Sequence, residues 1–254
     1  MDQQGAIICY QQGYTMLKVI YNYHISALKS IEKIYFTSDN FGIGLISKHQ
    51  SHRMALLTLV RHGQSLFNLE NRFTGNLDVA LTSAGEAEAL KAGSLLKGFN
   101  YSVAYSSMLK RAIDTLHIIL AAIGQSQMPI KMNAALDERM YGNLQGLNKA
   151  ETAEKYGAVQ VELWRRSYST RPPGGESLED TYNRAVPYYK SEIEPRLKNG
   201  ENVLVVAHGN SLRALVMYIE ELDSDAIEKL NIPTGLPRNY TFDNNLKVLS
   251  ASYL

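Results

Sequence analysis

Two apolar runs in this chain end in the same pair of residues. Leu56-Leu57-Thr58-Leu59-Val60 leads into Arg61-His62-Gly63, and Val203-Leu204-Val205-Val206-Ala207 leads into His208-Gly209. Short apolar runs bounded by turn residues read as buried strands. Ligands of an open α/β sheet sit beyond the carboxyl ends of its strands, so the two endings are expected to share one crevice. A neutral imidazole is a competent nucleophile near pH 7, because its ordinary pKa is about 6.5. Arg61 adds a fork suited to phosphate oxygens, Gly63 is expected to let an anion approach the backbone, and Ser65 and Asn68 add donors. This set suits phosphoryl transfer through a histidine, with the cationic neighbours holding His62 neutral.

The elements that must position these residues alternate between strand and helix from Met54 onward. That alternation predicts an α/β fold of three layers, with a mostly parallel central sheet covered by helices on both faces. Leu81-Thr82-Ser83 with Glu86 reads as a helix start with a capping box, and Gly98 as its stop. A strand is expected over Ser102–Tyr105. Leu109, Ile113, Leu116, Leu120 and Ile123 then recur at helical spacing and give one apolar stripe, which Gly124 closes. Leu136 to Arg171 reads as helices and loops arching over the site, and Arg171 to Ser177 as a Pro/Gly loop. Asp180 to Leu197 reads as helix interrupted at Pro187. A helix carrying Leu212, Leu215, Ile219 and Leu222 follows the second strand, and a hairpin of Tyr240–Phe242 with Leu246–Leu249 ends the chain.

Residues 1–53 differ from the rest: they hold five tyrosines and the only cysteine, Cys9, and show neither a period of 2 nor of 3.6. The expectation is an extension of unknown role, with Met54 as the start of the catalytic domain, residues 54–254. The chain carries 26 Lys+Arg against 25 Asp+Glu, a net charge of +1, which gives no general attraction for nucleic acid or an anionic membrane. One cysteine allows no intramolecular disulfide, and no run approaches the roughly 18 apolar residues of a membrane span. A cytoplasmic location is expected.

Beyond the first strand, Arg61-His62-Gly63-Gln64-Ser65-Leu66-Phe67-Asn68 continues through Asn71-Arg72-Phe73-Thr74-Gly75. Farther on come Ser107-Met108-Leu109-Lys110-Arg111-Ala112, the segment Leu136 to Lys149, Trp164-Arg165-Arg166 and Ala207-His208-Gly209-Asn210-Ser211. With these motifs the chain, from about Ala55 to Leu254, resembles the histidine phosphatase superfamily and, within it, the 2,3-bisphosphoglycerate-dependent phosphoglycerate mutases. The resemblance implies that His62 carries the phosphoryl group, that Arg61, Arg111 and His208 surround it, and that Glu138 is general acid and base. It also implies substrate contacts from Gln64, Ser65, Asn68, Thr74, Gly75, Tyr141, Lys149, Arg165, Arg166, Gly209 and Asn210. Arg111 is expected at a helix start whose backbone donors also favour an anion. The implied primer is 2,3-bisphosphoglycerate and the implied substrate a small phosphoglycerate, in glycolysis and gluconeogenesis. No metal is expected, since the arginines would repel a cation.

Two departures separate the chain from many such mutases. Only Ser167 to Gly175 lies between Trp164-Arg165-Arg166 and Glu176-Ser177-Leu178, and the tail stops at Tyr253-Leu254. Both shortenings also occur in the phosphatase branch, leave active-site closure open and allow a homo-oligomer. The alternative activity is a phosphohistidine-dependent phosphomonoesterase, in which water accepts the phosphoryl group. The joint presence of Tyr141, Lys149, Arg165 and Arg166 favours the mutase. A non-catalytic binding protein on the same fold is disfavoured because His62, Glu138 and His208 are all present.

Overall fold

The computed structural model describes residues 6–11, 14–19 and 54–254. The chain divides into two compact units, residues 1–49 and 50–254. In the first, β1 (Ala6–Gln11) and β2 (Tyr14–Val19) pair antiparallel, with Ala6 opposite Val19 and Gln11 opposite Tyr14. The sequence reading finds no pattern here and so misses both strands: Ala6-Ile7-Ile8-Cys9 is a continuous apolar run, which carries no alternation.

In the second unit the chain runs through β3 (Ala55–Arg61), a short α1 (Leu66–Leu69), α2 (Ser83–Leu95), β4 (Val103–Ser106), α3 (Lys110–Ala122) and β5 (Ile130–Met132). Two 3₁₀ turns then lead to α4 (Lys149–Tyr156), α5 (Ala158–Arg166), α6 (Leu178–Tyr188) and α7 (Glu194–Lys198). β6 (Val203–Ala207), α8 (Gly209–Ile219), α9 (Ser224–Lys229), β7 (Arg238–Phe242) and β8 (Val248–Tyr253) complete it. The sheet order is β5-β4-β6-β3-β7-β8. The first four strands are parallel; β7 pairs antiparallel with β3, and β8 pairs antiparallel with β7.

Side chains alternate across a strand, so one sheet feeds two cores. Leu57, Leu59, Val203 and Val205 face one core with α6 and α8. Leu56, Val60, Leu204 and Val206 face the other, with Ala92 of α2 and Leu116, Ile119 and Leu120 of α3. The three-layer expectation is met. The apolar stripe of α3 is met too, with Leu109, Leu116 and Leu120 buried and His117 exposed on the far side.

Several local expectations need correction. The N-cap of α2 is Thr82, whose hydroxyl accepts from the Gly85 N–H. Glu86 therefore stands one residue too late for a capping box. Helix α8 stops at Ile219, and Glu221, with φ 53°, turns the chain so that Leu222 packs on the core from outside the helix. Pro187 lies inside α6, and a π turn at Tyr189–Ile193 carries the helix on to α7 without a break. The missing proline N–H disrupts the hydrogen-bond ladder, and a wider turn accommodates it. In the last hairpin Leu246 (φ 60°) belongs to the turn, and β8 starts only at Val248. The Asp243 carboxylate accepts from the N–H groups of Asn245 and Lys247 and so lengthens that turn.

Gly63 has a structural task that differs from the expected one. A Cβ there would lie 2.1 Å from the Gly85 carbonyl oxygen, and one at Gly85 would lie 2.1 Å from that of Gln64. The two glycines let the loop after β3 lie directly on the first turn of α2. Gly85→Ala should therefore cost about 1–3 kcal/mol, the range of a forced overlap in a packed interior. Urea denaturation against Ser94→Ala, at an exposed site of the same helix, measures this; equal midpoints would show that the contact is not tight.

Candidate active site

Parallel pairing of Arg61 with Ala207 puts the two His-Gly endings side by side. The His62 N–H donates to the Ala207 carbonyl at 3.0 Å, and the imidazole centroids are 4.9 Å apart at an interplanar angle of 59°. Both rings are buried. The shared crevice expected from the strand endings is present.

The geometry fixes the tautomer of His62. Nδ1 lies 2.7 Å from the Gly63 carbonyl oxygen, which can only accept, so Nδ1 carries the proton. Nε2 keeps its lone pair and accepts from Arg111 Nε at 3.3 Å. Burial, followed by the charges of Arg111 and Arg61, holds the His62 pKa well below its ordinary value, opposed by the Gly63 hydrogen bond. The expected direction holds, with burial rather than the arginines as the larger cause. His208 is held low by burial, then by Arg111, His62, Arg61 and Arg184, and its Nε2 lies 2.7 Å from Ser107 Oγ.

Arg111 lies in the first turn of α3. Two N–H groups around that helix start meet carboxylates: Lys110 N–H meets Asp78, and Met108 N–H, before the N-cap Leu109, meets Asp137, each at 2.8 Å. The guanidinium of Arg111 donates instead to the carbonyls of Leu77 and Gly75, again at 2.8 Å. The helix start nearest Glu138 is that of α8. Glu138 Oε1 accepts from Asn210 N–H at 3.1 Å and from Arg139 N–H at 2.9 Å. The loop bearing Glu138 is braced by Arg184, which donates to the carbonyls of Ala135 and Glu138 and pairs with Glu176.

A pocket of about 130 Å³ opens in front of this group. Arg61, Asn68, Thr74, Gly75, Glu138, Tyr141, Lys149, Arg165, Arg166, Gly209 and Asn210 line it, as the sequence reading places them. His62, Arg111 and His208 do not line the open space; they are buried and adjoin it through Arg61 and Gly75. Gln64 and Ser65 lie outside the lining. Ser65 is the buried N-cap of α1, and Gln64 is held by Thr82 and Glu88. Ser65 Oγ accepts from the Asn68 N–H and Gln64 Oε1 from the Thr82 hydroxyl, uses that sequence alone could not distinguish from ligand contact.

Five further residues line the pocket without having been expected: Arg72, Phe73, Arg213, Asn231 and Ile232. Arg213 stands one turn after Asn210 on α8, a spacing that could have flagged it. Asn231 and Ile232 come from irregular chain after α9, where no sequence signal exists. Arg139 lies behind Tyr141, with its guanidinium carbon 4.7 Å from the ring centroid and Nη2 2.9 Å from the phenol oxygen.

Among the described residues, Arg61, Arg111, Arg139, Arg166 and Arg213 form no ion pair with a carboxylate. Backbone carbonyls receive them instead: Ile232 for Arg61, Arg165 for Arg139, Glu228 and Leu230 for Arg166, and Ile227 for Arg213. Among the described residues, buried nitrogens of Arg61, Arg139, Arg213 and His208 make no hydrogen bond. Burial and the charges of Arg165 and Arg61 lower the Lys149 pKa to about 8, with Glu138 opposing. The pocket is built to receive negative charge. No group of three or more His, Cys, Asp or Glu able to hold a metal occurs among the described residues.

Residues 57–251 match the histidine phosphatase superfamily (branch 1), and the chain belongs to that superfamily. Solved structures agree with the fold. A mycobacterial hydrolase superposes with a TM-score of 0.66 at 25% identity, covering 79% of this chain and 97% of its own. YhfR of Bacillus stearothermophilus gives 0.66 at 25% identity, over 74% and 92%. A 2,3-bisphosphoglycerate-dependent phosphoglycerate mutase of Cytophaga hutchinsonii is 55% identical over 201 residues, 79% of this chain and 94% of the relative. Within the superfamily, the chain falls in the group of 2,3-bisphosphoglycerate-dependent phosphoglycerate mutases.

Sulfate keeps one charge state from pH 6 to 10, so its binding should report the lysine directly. Its affinity is expected to fall as pH rises through about 8, where Lys149 loses its charge. The fall is about tenfold for each pKa unit by which bound sulfate raises that lysine. Calorimetry across this range on the wild type and Lys149→Met should show the step only in the wild type. The same step in both proteins would assign it elsewhere.

Proposed function

We propose that this chain interconverts 3-phosphoglycerate and 2-phosphoglycerate through a phosphohistidine at His62, primed by 2,3-bisphosphoglycerate. One observation carries the reading: a buried histidine with an unprotonated Nε2, which accepts from Arg111, adjoins a pocket that has a second cationic wall of Lys149, Arg165 and Arg166. A substrate bearing both a phosphate and a carboxylate needs two such anchors. An enzyme that must keep its intermediate from water needs them in a restricted space.

In the first half-reaction His62 Nε2 attacks the phosphorus of the bisphosphate, and the bond to the bridging oxygen breaks. Glu138 gives that oxygen a proton, which leaves a monophosphoglycerate with a free hydroxyl. In the second half-reaction the hydroxyl of an incoming 3-phosphoglycerate attacks the phosphohistidine, the N–P bond breaks, Glu138 takes the hydroxyl proton, and the bisphosphate so formed turns over and returns its other phosphoryl group to His62, leaving 2-phosphoglycerate. Charge in a loose phosphoryl transition state lies on three equatorial oxygens, so fixed donors around them lower the barrier. Arg111 Nε occupies the lone pair of Nε2 in the free protein and turns to a phosphoryl oxygen once phosphorus takes that position. Arg61 and the unpartnered Nδ1 of His208 are the other groups close to the transferred phosphoryl. No step requires a metal.

The described residues that line the pocket all fall within 54–254. No helix among the described residues is long and apolar enough to cross a membrane, and a glycolytic and gluconeogenic role supports a cytoplasmic location. Loss of the intermediate to water would appear as a weak bisphosphoglycerate phosphatase activity.

The test is conversion of 3-phosphoglycerate to 2-phosphoglycerate with and without 2,3-bisphosphoglycerate, and with a metal chelator. Conversion should depend on the bisphosphate and withstand the chelator; the opposite result on either count overturns the mechanism. His62→Ala should abolish covalent labelling by phosphate-labelled primer. Glu138→Gln should lower turnover by about 10²–10⁴-fold, the usual contribution of a general acid and base.

A further inference from the structure

Ser107 is buried and lies outside the residues to which any substrate contact is assigned above. Its hydroxyl oxygen accepts from the Leu109 N–H at 3.2 Å and lies 2.7 Å from His208 Nε2. A serine hydroxyl has one donor and two lone pairs. With one lone pair occupied by Leu109, the unresolved question is which way the proton runs between Ser107 and His208.

Hydrogen-bond accounting answers it. If His208 Nε2 donated, Ser107 would accept twice and its own O–H would need another acceptor. Among the described residues Ser107 Oγ has no other neighbour within hydrogen-bond reach, so a buried hydroxyl proton would be left unpaired, at a cost of about 1–3 kcal/mol. If Ser107 donates, its proton and Nε2 satisfy each other, and the ring proton of His208 moves to Nδ1. That nitrogen is buried and unpartnered.

We propose that Ser107 is a positioning residue that locks His208 in the Nδ1–H tautomer, so that Nδ1 presents a waiting donor to the phosphoryl group moving to and from His62. The two buried imidazoles thereby take complementary parts. His62 has its Nδ1 proton held by the Gly63 carbonyl and offers a lone pair at Nε2; His208 has its Nε2 lone pair held by Ser107 and offers a proton at Nδ1. The same neutral ring serves as nucleophile in one place and as donor in the other. Which role each takes is set by whether its other nitrogen meets a carbonyl or a hydroxyl. The catalytic half of this inference rests on phosphohistidine chemistry at His62, whereas the tautomer half does not.

Long-range ¹H–¹⁵N NMR on the full chain labelled at histidine reads the tautomer without any activity. The His208 signals, assigned by their loss in His208→Gln, should show a protonated Nδ1 and an unprotonated Nε2 near pH 7. An unprotonated Nδ1 in the wild-type protein overturns the proposal, even if every Ser107 variant fails to fold. Ser107→Ala should move His208 toward the Nε2–H form and slow formation of the phosphoenzyme by about 10²-fold, as expected for loss of one aimed donor. KM should change little, and Ser107→Thr, which keeps the hydroxyl, should restore tautomer and rate together. A Ser107→Ala protein that keeps both the tautomer and the rate refutes the role. Should wild type show the tautomer but no phosphoenzyme, the proposed phosphohistidine step fails while the tautomer assignment stands.

Discussion

Burial of guanidinium groups without carboxylate partners is the constraint on which this site depends. A buried charge normally demands an opposite charge, and pairing it so would cancel the attraction for an anion. Here the demand is met by neutral oxygens. Carbonyls of Gly75 and Leu77 take Arg111, and carbonyls between Ile227 and Ile232 take Arg61, Arg166 and Arg213. Each of these guanidinium groups meets at least one neutral oxygen, the Nε of Arg61 and of Arg213 stay unpaired among the described residues, and the positive charge is left intact. The irregular chain after α9 therefore matters as much as the helices, because its exposed carbonyls replace the water that burial removed.

The sheet supplies the other half of the design. Strand order alone brings His62 beside His208, and the packing of Gly63 against Gly85 fixes the loop from which Arg61 and Asn68 project. Thr115 ties that loop to α3: it accepts from the Gly63 N–H and donates to the Arg111 carbonyl, joining the segment of the nucleophile to that of its arginine. Pre-organisation of this kind lets fixed donors meet developing charge without rearrangement.

Much of this was legible in the residues. The paired His-Gly endings, the stripe of α3 and the apolar strands β3 and β6 follow from periodicity and from the position of ligands at strand ends. The roles that stayed hidden are those decided by a third dimension of contact. Nothing local to Asp78 or Asp137 says that they accept from backbone N–H groups at and just before the start of α3. Gln64 and Ser65 carry the right atoms, but their own loop consumes them. Arg139 and Arg213 read as ordinary charged residues of a loop and a helix, and only packing shows them buried against the pocket. The β1–β2 pair and β5 are short or unpatterned, and their pairing is visible only in the register.

Because Arg61 is registered on Ala207, the site joins two points separated by most of the second unit. Strand β3 lies between β6 and β7, so it completes its hydrogen bonding only when the last third of the chain has been made. A growing polypeptide that has finished its first helices thus exposes the histidine without Arg166, Arg213, the partner ring or the carbonyls that complete its surroundings. Long-range parallel pairing of this kind forms late and slowly. Chemical competence in this protein is thereby a property of the completed chain, and it arrives in one step with the closing of the sheet.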